Sequence, residues 1–161
     1  MPSANFLIPT SSTSKSTKSA VVSEKILPPS VLIVDDDLDL TDLLSRLLAR
    51  KGLRPVTAAG GPQCLDIVQH HPIAIDIIVM DITMPEMDGL QVCAVLKQTE
   101  KTREIPIILL TAKDDAAVRQ ASTRLGVAEF LMKPVSGQDL IASIQTQLAK
   151  LSRHHARTSL P

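Results

Sequence analysis

Residues 76–89 read "DIIVMDITMPEMDG": an apolar run stops abruptly on Asp81, and a Met84-Pro85 turn follows. From Ile77 to Met80 no polar residue interrupts the run, so a strand over Ile75–Met80 has no face suited to water. Strands covered on both sides are typical of parallel sheets, whose crossover connections lay helices over both faces. A buried strand ending on an acid therefore carries one carboxylate to the rim of a rigid core.

The flanking sequence repeats the pattern. Val31–Val34 ("VLIV") and Ile105–Leu110 are further apolar strands, and Glu129–Met132 is a short fifth one. Leu53–Ala59 is a weaker strand containing Pro55, which cannot donate to a ladder and so belongs at a sheet edge. Between the strands lie helical periodicities. Leu38–Lys51 sets Leu40, Leu43, Leu44, Leu47 and Leu48 at helical spacing, with Gly52 as its stop. Pro62 opens a helix to about His70, and another runs from about Leu90 to Gln98. A helix over Asp114–Leu125 is capped by Asp114 and stopped by Gly126, and Gln138–Lys150 is a last amphipathic helix. Five β-α repeats predict a mostly parallel α/β sheet with right-handed crossovers and helices on both faces. Ligands of such open sheets bind beyond the carboxyl ends of the strands.

Composition narrows the function. A chain of 161 residues, 44% hydrophobic but with only two aromatic residues, is expected to fold as one domain around an aliphatic core. Its formal net charge is zero, and nothing in it suggests nucleic-acid binding. Setting aside Lys15, Lys18, Lys25 and Glu24 at one end, and Arg153 and Arg157 at the other, leaves 12 basic and 16 acidic groups over 31–150. That stretch is acidic by four charges. No apolar run approaches the ~20 residues of a membrane span. Cys64 and Cys93 lack metal-ligand spacing and read as buried hydrophobes of a reducing, cytoplasmic compartment. Residues 1–29, rich in Ser, Thr and Pro, read as a disordered tail. Residues 151–161 read as a short polar end, leaving 30–150 for the domain.

What stands at the strand ends is polar throughout. Asp35, Asp36 and Asp37 follow the first strand, Asp81 the third, Thr111 the fourth, and Lys133-Pro134 the fifth. Carboxylates of Asp35, Asp36 and Asp81 crowded together would repel one another, and a hard divalent cation removes the conflict. Mg²⁺ takes oxygen ligands and keeps several waters, so two carboxylates and a main-chain carbonyl suffice and leave room for phosphate oxygens. Lys133 and Thr111 supply a cation and a hydroxyl donor for those oxygens. Together these are the parts needed for phosphoryl transfer onto an aspartate. A calcium loop over Asp35, Asp37 and Asp39 is excluded by Leu40 and Arg46, where such loops need Gly and Glu. Asp37 and Asp39 instead suit a helix N-terminus.

The stretches "LIVDDD", "VMDITMPEMDG", "ILLTAK" and "EFLMKPV" resemble, in order and spacing, the receiver domain of two-component response regulators, over about residues 30–150. The resemblance implies a flavodoxin-like fold with strand order 2-1-3-4-5, and Asp81 as acceptor of a phosphoryl group from a histidine kinase or histidine phosphotransfer protein. It further implies that Asp35 and Asp36 hold Mg²⁺ together with Asp81 and the main-chain carbonyl of Thr83. Lys133 and Thr111 would contact the phosphoryl group, and Phe130 stands at the family's aromatic switch position. Met84, Pro85, Asp88, Gly89 and Pro134 shape the flanking loops. An aspartyl-phosphate hydrolase is the rival enzyme class, but it places a second acid two residues after its nucleophile, where this chain has Thr83. A stand-alone receiver is expected to act either on a downstream protein effector or as a phosphate relay between histidine proteins. Direct contact with nucleic acid or membrane is not expected.

Overall fold

The computed structural model describes residues 27–158, so the tail expected at residues 1–29 lies outside the described residues up to residue 26. Strands and helices alternate as β1 (Ser30–Val34), α1 (Leu38–Arg50), β2 (Arg54–Ala58), α2 (Gly61–His70) and β3 (Ile77–Asp81). Then come α3 (Gly89–Gln98), β4 (Ile107–Thr111), α4 (Ala116–Arg124), β5 (Glu129–Met132) and α5 (Gly137–Thr158). All pairings are parallel and the sheet order is β2-β1-β3-β4-β5. Pro55 sits on the edge strand that its missing N–H requires.

Alternation along the strands divides the interior into two cores. Leu32, Val34, Ile78, Met80, Ile107 and Leu109 face one side, where Cys64 of α2 and Val92, Cys93 and Leu96 of α3 cover them. Val31, Ile33, Ile77, Val79, Ile108 and Leu110 face the other, under Leu44 and Leu48 of α1 and Leu140, Ile141 and Ile144 of α5. The three central strands have no exposed residue. Both cysteines are free and fully buried, and burial pushes each thiol up to about 12.

Four sequence expectations need correction. β3 begins at Ile77 rather than Ile75 because the Asp76 carboxylate turns back to accept the Ser30 N–H at 2.7 Å. Asp115 and not Asp114 caps α4, accepting the Ala117 N–H at 2.8 Å, while the Asp114 carboxylate pairs with Arg119. Leu43 is exposed, since Leu40, Leu44, Leu47 and Leu48 already fill the stripe that α1 turns to its core. The polar C-terminal segment is not an irregular end: α5 continues to Thr158. Leu148 and Leu151 extend its apolar stripe over the second core, and neither Gly nor Pro interrupts residues 138–160.

Candidate functional site

Each residue of the site is delivered by the end of a strand. The Asp35 N–H donates to the Ala58 carbonyl at 3.1 Å, carrying the β1–β2 ladder one residue past β1. Its Oδ1 then accepts the Asp37 N–H at 2.9 Å, which fixes the carboxylate over the start of α1. Asp37 caps that helix through the Leu40 N–H. Asp81 is the last residue of β3, paired in register with Leu110. Lys133 follows β5, and its N–H donates to the Thr111 carbonyl at 2.6 Å.

These placements bring opposite charges together under cover. Lys133 Nζ stands 2.9 Å from Asp35 Oδ2 and 2.9 Å from Asp81 Oδ1. Asp35 and Asp81 are buried whereas Asp36 is exposed, and ligand oxygens of all three lie within 4.8 Å of one another. Burial raises the Asp81 pKa. Lys133 opposes that shift and the charges of Asp35 and Asp36 add to it. Burial alone would depress Lys133, but its bonds to Asp35 and Asp81 outweigh burial and raise it. One ammonium thus serves three carboxylates. The donor set is all oxygen and carries surplus negative charge, so the residues present fit a hard divalent ion such as Mg²⁺.

The loop after Asp81 folds back against it. Met84 is buried in the first core and Pro85 is exposed. The Met87 N–H donates to the Pro85 carbonyl at 2.7 Å across Glu86, whose φ of 66° makes this a tight γ-turn. Asp88 caps α3 in a reciprocal box with Gln91, the two bonds being 2.8 and 3.0 Å. Gly89 donates its N–H to the Ile82 carbonyl at 2.8 Å. A Cβ on Gly89 would lie 2.5 Å from the Asp81 carbonyl oxygen and 2.9 Å from the Ile82 Cα, so only glycine fits there. Thr83 is exposed, two residues beyond Asp81. After Lys133, Pro134 is joined by a cis peptide bond.

Thr111 and Phe130 are near this centre but are not bonded to it. The Thr111 hydroxyl donates to the Lys113 carbonyl at 3.0 Å and accepts the Lys113 N–H at 3.2 Å. Phe130 packs partly against the first core and lines a cavity between α4 and β5 with Arg119, Ser122, Thr123, Val127 and Glu129. The Arg119 guanidinium stands 5.5 Å from the centre of its ring. Sequence reasoning named neither Arg119 nor Gln91. The Asp88-x-x-Gln91 spacing is the signature of a capping box. Arg119 over Phe130 has no such signature, because a helix end and a turn separate them.

Comparison with known proteins agrees with this geometry. Residues 31–145 match the model of the response regulator receiver domain. The chain belongs to that family. It is 35% identical over 120 residues to the transcriptional regulatory protein CpxR of Escherichia coli, covering 74% of this chain and 49% of CpxR. To the probable transcriptional regulator ycf27 of Cyanophora paradoxa it is 38% identical over 121 residues, covering 74% and 48%. The chain thus spans about half the length of these relatives. Among solved structures, the chemotaxis response regulator CheY4 of Vibrio cholerae superimposes with a TM-score of 0.69 at 27% identity, over 74% of this chain and 98% of CheY4. A response regulator from Chloroflexus aurantiacus gives 0.70 at 30% identity, over 76% and 98%. The receiver domain is therefore of the two-component, regulatory kind, with the flavodoxin-like order β2-β1-β3-β4-β5. No helix among the described residues is long and apolar enough to cross a membrane.

Proposed function

We propose that Asp81 accepts a phosphoryl group from a phosphohistidine on a histidine kinase or histidine phosphotransfer protein, and that this switches the shape of the domain. The observation that carries the reading is the convergence of Asp35, Asp36 and Asp81 within 4.8 Å, with Lys133 Nζ at 2.9 Å from two of them. An Asp81 carboxylate oxygen attacks phosphorus, forming an O–P bond as the P–N bond of the donor breaks. The electron pair stays on the leaving imidazole, which takes a proton from water. Asp35, Asp36, Asp81 and the Thr83 carbonyl would hold Mg²⁺, which supplies charge neutralisation at the phosphoryl oxygens. Burial of Asp35 and Asp81 keeps bulk water from screening these contacts. Lys133 is already placed to follow the charge from carboxylate to phosphoryl oxygen.

Phosphorylation adds charge and acceptor oxygens beside Thr111. The hydroxyl leaves Lys113 for the phosphoryl group, and Phe130 moves toward the space so released. The surface of α4, β5 and α5 then presents a different shape to a downstream protein effector, the change being a shift between two populations. The acidic balance of residues 31–150 favours a protein over nucleic acid as that partner. The free, buried Cys64 and Cys93 are consistent with a cytoplasmic setting.

The test is incubation with acetyl phosphate, with and without Mg²⁺, followed by intact-mass measurement. A single phosphoryl addition is expected with Mg²⁺ only, and none in Asp81→Asn. Addition that persists in Asp81→Asn would overturn the assignment. Phosphoryl return from Asp81 to a histidine protein would mark a relay, and phosphorylation-dependent capture of a purified non-histidine partner an effector.

A further inference from the structure

The phosphoryl-acceptor reading leaves one link without a physical part, namely what joins the Thr111 hydroxyl to the Phe130 ring. The β4–α4 loop supplies one. Lys113, which holds the hydroxyl through both its N–H and its carbonyl, is followed directly by Asp114. Asp114 stands at the start of α4 without capping it, since Asp115 does so. Its carboxylate is turned instead to Arg119 Nε, one helical turn on, at 2.5 Å. Held there, the Arg119 guanidinium lies 5.5 Å from the centre of the Phe130 ring, and both side chains line the α4–β5 cavity. Glu129, the nearest other anion on that wall, is engaged elsewhere. It accepts from Ser143 Oγ at 2.8 Å and Gln147 Nε2 at 3.4 Å on α5. Both of those side chains are buried, so Glu129 is tied to the helix behind it.

We propose that Arg119 is a positioning residue, a latch that Asp114 aims at Phe130 and that holds the ring in the α4–β5 cavity until the β4–α4 loop moves. A guanidinium over an aromatic face attracts it through the ring quadrupole, and Phe130 has no hydroxyl with which to be held in any other way. When Thr111 leaves Lys113, the backbone carrying Asp114 is freed, the ion pair loses its geometry, and the cation leaves the ring. Asp114 and Arg119 are both more than half exposed, which makes the latch weak and sensitive to salt. That suits a device meant to be opened by a single modification. The coupling to phosphorylation rests on the acceptor role of Asp81; the latch itself does not.

The experiment uses the full chain labelled with 4-fluorophenylalanine, which places one fluorine on Phe6 and one on Phe130. Phe130→Leu assigns the two resonances. In the unphosphorylated protein, Arg119→Met keeps the length of the side chain but removes the charge. It is expected to move the Phe130 resonance toward its position in the wild type treated with acetyl phosphate and Mg²⁺. The latched population should fall roughly two- to fivefold, as a half-exposed cation–π contact allows. Arg119→Lys should restore part of the shift, and Asp114→Asn should act in the same direction as Arg119→Met but less. Raising salt from 0.1 to 1 M shortens the screening length from about 10 to about 3 Å and should erase the difference between Asp114→Asn and wild type. A Phe130 resonance unmoved in Arg119→Met, while Asp81 takes up phosphoryl normally, overturns the latch alone. A resonance that moves in a protein whose Asp81 takes up no phosphoryl group upholds the latch and removes the switch it serves.

Discussion

Strands β3 and β5 carry chemistry to the same rim of the sheet, yet they are built in opposite ways. All five residues of β3 are buried, and β1 and β4 hold it on both sides. No residue of β5 is fully buried, it pairs only with β4, and Met132 is 41% exposed. The first delivers Asp81, which has to meet a metal and two other acids with little tolerance. The second delivers Phe130 and leads into Lys133, side chains that have to change partners. Fixed chemistry is mounted on the centre of the sheet and moving parts on its edge, where local opening costs least.

The sharpest test of that contrast is a pair of truncations. Ile78→Ala, at a fully buried site in β3, is expected to cost about 3 kcal/mol in denaturant unfolding. Leu131→Ala, half-buried in β5, should cost about half as much because its neighbours can close in. Equal losses would mean the edge is as firmly built as the centre.

Next in size come two glycines with different reasons to be glycine. Gly89→Ala drives a methyl against the Asp81 carbonyl and should cost about 2 kcal/mol and slow phosphoryl uptake. Gly126→Ala meets nothing within 4 Å but must hold a φ of +71°, so about 1 kcal/mol is expected with uptake unchanged. Slowed uptake in both variants would show that the effect at Gly89 is one of general stability.

The smallest expected effect is electrostatic. The folded protein raises the Asp81 pKa above its ordinary 3.8, so protonation favours folding. The resulting penalty is absent below pH 3.8, grows as pH rises through the raised value, and is complete at neutral pH. In metal-free buffer, Asp81→Asn should therefore raise Tm at pH 7 and leave it unchanged below pH 3.8. Mg²⁺ should stabilise the wild type and narrow the gap. A lower Tm for Asp81→Asn at pH 7 would mean that its pairing with Lys133 outweighs burial.

How much of this was legible follows from what has a period. The central strands are unbroken apolar runs and the helices keep a 3.6-residue stripe, so the α/β alternation could be read along the chain. Once the strands were parallel, topology alone sent Asp35, Asp81 and Lys133 to one rim. Pro55 marked an edge, but nothing periodic says that β1 lies between β2 and β3; that order came with the family resemblance. Single-residue choices between equivalent neighbours stayed hidden, as with Asp114 and Asp115 at the start of α4. So did the true end of α5, since a polar helix face and a polar tail have the same composition. Pairs made across elements, such as Arg119 with Phe130 or Glu129 with Ser143 and Gln147, leave no spacing to read.

Lys133 and Asp35 are separated by 98 positions in the chain, and their ion pair closes the first strand's end onto the last. No assembly intermediate can form that contact before β5 docks, because the ammonium arrives with the final strand. A nascent or partly assembled sheet therefore gathers three mutually repelling acids with nothing to balance them. The ability to receive a signal is thus reserved for chains that have finished folding.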